Sequence, residues 1–174
     1  AACGRVGEGL YELDAAYAHL GADFPLEPPF DYSSSAPDYI TRDRRLDMDV
    51  DDREATLGRV LFYDKQLSLN NSIACGSCHI QSHAFGDTSQ QSVGLDGGLT
   101  SRQSMRLVNT RFAALPAMFW DRRAINLRNQ VTQPIQDHIE MGFSGTGDQP
   151  DMDSWLAKLQ GRPYYSEPFY WAFD

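Results

Sequence analysis

From Val6 to Leu20, apolar residues fall at 6, 10, 13, 17 and 20, the i, i+4, i+7 spacing of one helical face, and Gly21 follows as a C-cap. From Pro25 to Asp52 the chain turns to Pro, Ser, Asp and Tyr without a period, which reads as an extended surface linker. Order returns at Asp51 and Glu54, which have the spacing of a capping box. The helix they open sets Leu57, Val60 and Leu61 on one side and should end near Tyr63. Between Asp64 and Arg102 there is little periodicity and much Gly, Ser and Asn. Such a stretch inside a compact domain is functional or disordered, and here it surrounds two cysteines, which favours function. A further helix is expected from about Arg123 to Gln133, with Ile125, Leu127 and Val131 apolar, stopped by Pro134. Asp151 or Asp153 can cap another carrying Trp155, Leu156 and Leu159, and Pro163 to Phe173 reads as a last helix. No strand-like alternation of useful length and no internal repeat appear. The class is mostly α with long loops.

Composition narrows the partners. With 41% hydrophobic and 11% aromatic residues in 174, the chain can bury a core without disulfides. That length fits one domain, or one domain with an extension, at roughly 100–200 residues per domain. The longest apolar runs, Phe112 to Leu115 and Pro116 to Trp120, fall far short of the ~20 residues of a membrane helix. A net charge of −9 without a Lys/Arg cluster weighs against nucleic acid. Three cysteines cannot all pair with one another. Cys3 lies in Ala1-Ala2-Cys3-Gly4, which resembles the end of a bacterial lipoprotein signal with an acylated cysteine; an ordinary terminal cysteine is the alternative.

Cys75-Gly76-Ser77-Cys78-His79 is the sharpest signal. A C-x-x-C-H run is the attachment site of c-type haem. The two thiols add to the haem vinyl groups, and the adjacent histidine is held under the iron as its proximal ligand. Zinc needs four ligands, and only His83 and His138 are plausible additions. A dithiol redox site expects a βαβ context, which is missing. Haem c is favoured, with zinc and a redox or free cysteine pair as alternatives. Such attachment occurs outside the cytoplasm in bacteria, so a periplasmic location is expected.

From about Thr56 to Phe173 the chain resembles the N-terminal haem domain of bacterial di-haem cytochrome c peroxidases, a family that includes MauG-like proteins. The resemblance is carried by Leu57 to Asp64, Leu67-Ser68, the Cys75–His79 motif, Ala84 to Asp87, Arg102 to Asn109, Phe119-Trp120-Asp121, and Pro134 through Gly142. It implies a cytochrome c-like haem domain over 51–174, preceded over 1–50 by a helix and linker with the lipoprotein-like start. It also implies a second, C-terminal haem domain that this sequence lacks. By the same resemblance, His79 is the proximal ligand, and Gln130 and Glu140 are the distal-pocket pair. Trp120 lies on the electron route between haems, and Gln103 takes a calcium-binding position where Asn is usual. A histidine that caps the resting iron in many members is replaced here by Leu95, in Ser92-Val93-Gly94-Leu95.

Taken alone, these residues have plainer readings. Glu140 would be a solvated carboxylate, Gln130 a helix-surface residue and Trp120 a core aromatic. His83, His138 and His19 read as surface, Met141 as packing rather than a sixth ligand, and Asp137 as solvated charge. With the resemblance, the expected function is reduction of hydrogen peroxide with electrons from a small cytochrome or cupredoxin. Glu140 would move the proton and Gln130 would position the peroxide. An electron-transfer cytochrome and a MauG-like oxidant of a partner protein are the alternatives.

Overall fold

Asp51 caps the first helix: its carboxylate accepts from the backbone N–H of Arg53 at 2.8 Å and Glu54 at 3.0 Å. In this computed structural model, which describes residues 30–33, 36–41, 50–113 and 117–174, α1 spans Asp52–Tyr63 and buries Thr56, Leu57 and Val60. It ends where the sequence predicts. Asp64 then turns the chain, with its carboxylate accepting from Gln66 N–H at 2.8 Å to start a 3₁₀ turn over Lys65–Leu67. The expected helix Val6–Leu20, together with Cys3 and His19, lies outside the described residues. The described part of the linker carries neither helix nor strand, and Tyr32 N–H donates to the Asp52 carboxylate at 2.8 Å.

A single turn, α2, spans Cys75–Cys78. Two short helices follow much later: α3, Leu127–Val131, and α4, Gln133–Gln136. Here the sequence reading needs correction. The helix starts at Leu127, because Asn126 caps it through Asn129 N–H at 2.8 Å. Before it, Ala124 is paired in an isolated bridge to Met118, and Arg122 has a left-handed backbone. Pro134 does not stop the helix. It sits in the first turn of α4, where its missing N–H would have no helical partner anyway.

Asp151 is the cap of α5, Met152–Gln160, and α6 spans Pro163–Phe173. Helix α6 packs along α1, and α5 packs against α6 and the Lys65–Leu67 turn. Between them lies the core of Leu67, Ile135, Met141, Phe143, Leu159 and Tyr165. Helix α5 also pins the loop after α1. Trp155 Nε1–H donates to the Leu67 carbonyl at 3.1 Å, and Lys158 Nζ donates to the Ser68 carbonyl and to Asn71 Oδ1. The buried Tyr165 hydroxyl donates to the buried Asp64 carboxylate, tying α6 to the end of α1. Among the described residues, pairing outside helices is confined to isolated bridges. Among the described residues the fold is mostly α, with long irregular loops.

Candidate functional site

Cys75 and Cys78, three residues apart, stand at the two ends of α2 as half-buried free thiols. The Ser77 hydroxyl accepts from Ala74 N–H at 3.0 Å and fixes the start of the turn. Gly76 lets the Tyr63 ring close on the turn, since a Cβ there would lie 2.6 Å from that ring and the tyrosine would have to shift. Burial pushes the Cys75 thiol up to about 11, with Cys78 and Glu140 adding to the effect. Burial also raises Cys78; a hydrogen bond with Ser92 works the other way, and Glu140 and Asp87 add to the rise.

His79 follows directly, and its orientation is set by the backbone. After it the chain folds back in a tight loop closed by Ile80 N–H to the Gly86 carbonyl and Phe85 N–H to the Ile80 carbonyl, both 3.0 Å. Ala84 and Phe85 both take left-handed backbone angles, with φ of 58° and 57°. That conformation is costly for side-chain-bearing residues and is concentrated at functional sites. It brings the Phe85 carbonyl 2.8 Å from His79 Nδ1. Nδ1 is thereby taken as a donor, and Nε2 is left with its lone pair free for a metal. The Phe62 ring lies 6.4 Å from the imidazole and 5.9 Å from the Phe85 ring.

Farther along the chain, two segments lock together. Leu95 N–H donates to the Ile139 carbonyl at 2.6 Å. Gly94 passes so close to this segment that a Cβ would fall 2.2 Å from the Ile139 oxygen. Gly142, with φ of 89°, leaves room for the Leu95 side chain. Buried Ser92 donates to the Asp87 carboxylate and shares a hydrogen bond with Ser104 at 2.9 Å. Burial opposes ionisation of Asp87, but bonds from Ser92, Ser89 and Thr88 outweigh it and hold the carboxyl below the ordinary range.

Glu140 is half-buried, and burial, followed by the Asp137 charge, lifts its carboxyl to about 6, while Arg123 pulls the other way. The plain reading of a solvated carboxylate is therefore wrong. Asp137 is exposed, as a solvated charge should be, but it also accepts from Ile139 N–H at 2.8 Å and Glu140 N–H at 3.0 Å and builds the turn that presents Glu140. Arg123 is the other residue the sequence reading missed. It lies over the Phe119 ring at 3.6 Å, bridges to Asp121 at 3.1 Å, and donates from Nε to Gln133 at 3.0 Å. Gln130 is half-buried on α3, and no hydrogen bond joins it to Glu140 among the described residues.

The remaining candidates separate. Trp120 is 58% exposed, so it is not a core aromatic; its Nε1–H donates to the Gln103 carbonyl at 3.0 Å. The two line a groove of about 670 Å³ with Gln90, Gln91, Ser101 and Arg102. Gln103 is exposed and turns its amide to the carbonyls of Asp87 and Ser89. Among the described residues no group of three or more His, Cys, Asp or Glu side chains converges. His83 and His138 are exposed. Met141 is 2% exposed in the core, and Leu95 is buried against Gly142.

These residues fit a covalently held haem. Two free thiols on one turn stand beside a histidine whose second nitrogen is already committed. Val93 and Ile139, on the locked segments, and Leu127 and Val131, on α3, leave apolar surface exposed that a large planar group could cover.

Comparison with known proteins agrees. A family model described as di-haem cytochrome c peroxidase matches residues 52–174. The methylamine utilization protein MauG of Methylophilus methylotrophus is 29% identical over 158 residues, 90% of this chain and 44% of that protein. The cytochrome c551 peroxidase of Pseudomonas aeruginosa is 35% identical over 105 residues, 60% of this chain and 29% of that protein. The crystal structure of a MauG-like protein associated with microbial copper homeostasis superposes with a TM-score of 0.66 at 29% identity, covering 82% of this chain and 40% of that one. The chain thus spans less than half the length of each of these relatives.

Proposed function

The chain belongs to the di-haem cytochrome c peroxidase family, with its MauG-like members, and on that premise we propose that it holds one haem c and uses it to reduce hydrogen peroxide. Haem c, when bound, supplies the redox chemistry that splits the O–O bond. Cys75 and Cys78 carry the two thioethers, and His79 Nε2 is the iron ligand, steadied by the Phe85 carbonyl. Glu140 is the proton carrier, taking a proton from one peroxide oxygen and returning it to the other. Gln130 orients the peroxide through its amide. The observation that carries this reading is the pair of free thiols on one turn beside a histidine whose Nδ1 is held by the Phe85 carbonyl at 2.8 Å; the Glu140 carboxyl, raised by burial to about 6, supports its place as the proton carrier. Electrons come from a small cytochrome or cupredoxin, and the work is done in the periplasm, with Cys3 as a lipid anchor.

The test is direct. The chain made in a host equipped for cytochrome c maturation should carry the mass of one haem that survives denaturation. An unmodified mass would sink the reading. Stopped-flow mixing with peroxide should shift the Soret band, and Glu140→Gln should slow that change roughly 10²–10⁴-fold. The longer reach of the MauG match favours a second reading, in which the oxidising equivalents pass to a partner protein. Consumption of peroxide with no response to added donor cytochrome would support it.

A further inference from the structure

Tyr63 ends α1 in an unusual position. Its ring presses on Gly76, between the two cysteines of the motif, so closely that a Cβ at residue 76 would lie 2.6 Å from Cδ1 and 2.8 Å from Cε1. The same ring meets Phe62 edge to face at 5.0 Å, and Phe62 lies 6.4 Å from the His79 imidazole. Yet Tyr63 is 43% exposed. Its hydroxyl points outward and donates to Gln81 Oε1 at 3.4 Å. An aromatic side chain that touches the cofactor-binding turn on one face and water on the other is a short bridge between them. Tyr165 offers a contrast. It is 4% exposed, and its hydroxyl is held by the buried Asp64 carboxylate, so it has no such outlet.

We propose that Tyr63 is the electron port of this domain, through which one-electron aromatic donors too bulky for the haem pocket, phenols above all, are oxidised at the protein surface. The inference rests on the haem and peroxide reading above. Tyr63 gives an electron inward across its contact with Gly76, and its O–H proton leaves to water beside Gln81, making a neutral tyrosyl radical. A phenol at the surface then gives a hydrogen atom to the Tyr63 oxygen, restoring the tyrosine and leaving as a phenoxyl radical. Two such events match one hydrogen peroxide, so that one peroxide and two phenols become two waters and two phenoxyl radicals. The substrate never enters the pocket. Surface chemistry at Tyr63 therefore decides which donors react, and Glu140 has no part in that choice.

The test compares the haem-loaded chain with its Tyr63→Phe variant, which keeps the ring on Gly76 and removes only the hydroxyl. A flash-generated ruthenium(III) tris-bipyridine oxidant in solution withdraws electrons from the ferrous protein, followed at the Soret band. The variant should respond roughly tenfold more slowly or worse. Freeze-quenching after peroxide should give a tyrosyl radical by electron paramagnetic resonance in the parent chain and none in the variant. Oxidation of 2,6-dimethoxyphenol should fall in step with the radical. Equal flash rates in the two chains overturn the proposal, as does an undiminished tyrosyl signal in the variant. The flash arm needs no peroxide. A Soret band that ignores peroxide while the flash rates still differ tells against the peroxide reading and supports the Tyr63 route.

Discussion

Around Tyr165 the structure is held by side chains: a buried hydroxyl on the Asp64 carboxylate, Trp155 and Lys158 reaching back to the loop after α1, and a packed core. Around His79 the backbone does much of the aiming. Left-handed residues at Ala84 and Phe85 aim a carbonyl at the imidazole, and the Gly94 and Gly142 backbones allow two loop segments to touch. The first region consists of regular helices with caps and buried faces. The second is irregular and keeps apolar side chains exposed. Regular helices are stabilised by burying a face, so they can form anywhere a core exists. Presenting two thiols and an imidazole nitrogen at one place needs directed hydrogen bonds, and loops supply those at the expense of local strain.

The comparison can be broken hardest at Gly94. Alanine there cannot fit, because its Cβ would meet the Ile139 oxygen at 2.2 Å, and the Leu95–Ile139 lock must open. Urea denaturation should show a loss of about 3–4 kcal/mol, at the upper end for single substitutions, and Glu140 should return toward an ordinary glutamate. A Gly94→Ala chain of native stability would remove the lock from the argument.

On the helical side, Tyr165→Phe strips the buried Asp64 carboxylate of its hydroxyl donor. The expected cost is about 2–3 kcal/mol, that of leaving a buried charged acceptor short of a partner. Titration of Glu140 should not move. A shift there would mean that the two regions are coupled rather than separately built.

Glu140 itself gives a pH signature. Its folded pKa of about 6 lies above the ordinary 4.5, so between those values the folded state binds more protons than the unfolded one. Stability is therefore full below about pH 4.5 and is lost as pH rises through 6, by on the order of 2 kcal/mol. Glu140→Gln should flatten that slope, read as denaturation midpoints from pH 4 to 7, and should be the more stable chain above pH 6. The smallest effect belongs to Trp120→Phe. It loses one exposed hydrogen bond to Gln103 and should change stability by less than about 0.5 kcal/mol, while any change in electron-transfer rate would report a role beyond packing.

Much of the helical region was readable in advance. Asp51, Asp151 and Pro163 mark helix starts by local chemistry, and the apolar spacing of α1 gave its buried side. At residues 123–133 a local pairing overrules helix preference: the Ala124–Met118 bridge, six residues apart, holds the chain extended until Asn126 can cap α3. Pro134 misled because a proline that ends one helix can equally begin the next. At the site, the Cys75–His79 spacing named the chemistry, but the partners that aim it left no local trace. Phe85 acts through a carbonyl that every residue possesses. Asp137 and Arg123 act on Glu140 through a turn and a charge whose effect depends on burial.

Sequence by itself therefore determined the helices that begin at Asp52, Met152 and Pro163, the C-x-x-C-H run and the family, because each is written in spacing over a few residues or in an ordered set of short motifs. Only the tertiary structure decided that His79 offers Nε2, that Glu140 is lifted to about 6, that Trp120 lies at the surface and that Tyr63 bridges Gly76 to water. Those properties depend on how much water surrounds a group and which distant atom faces it, and neither is set until the chain has folded.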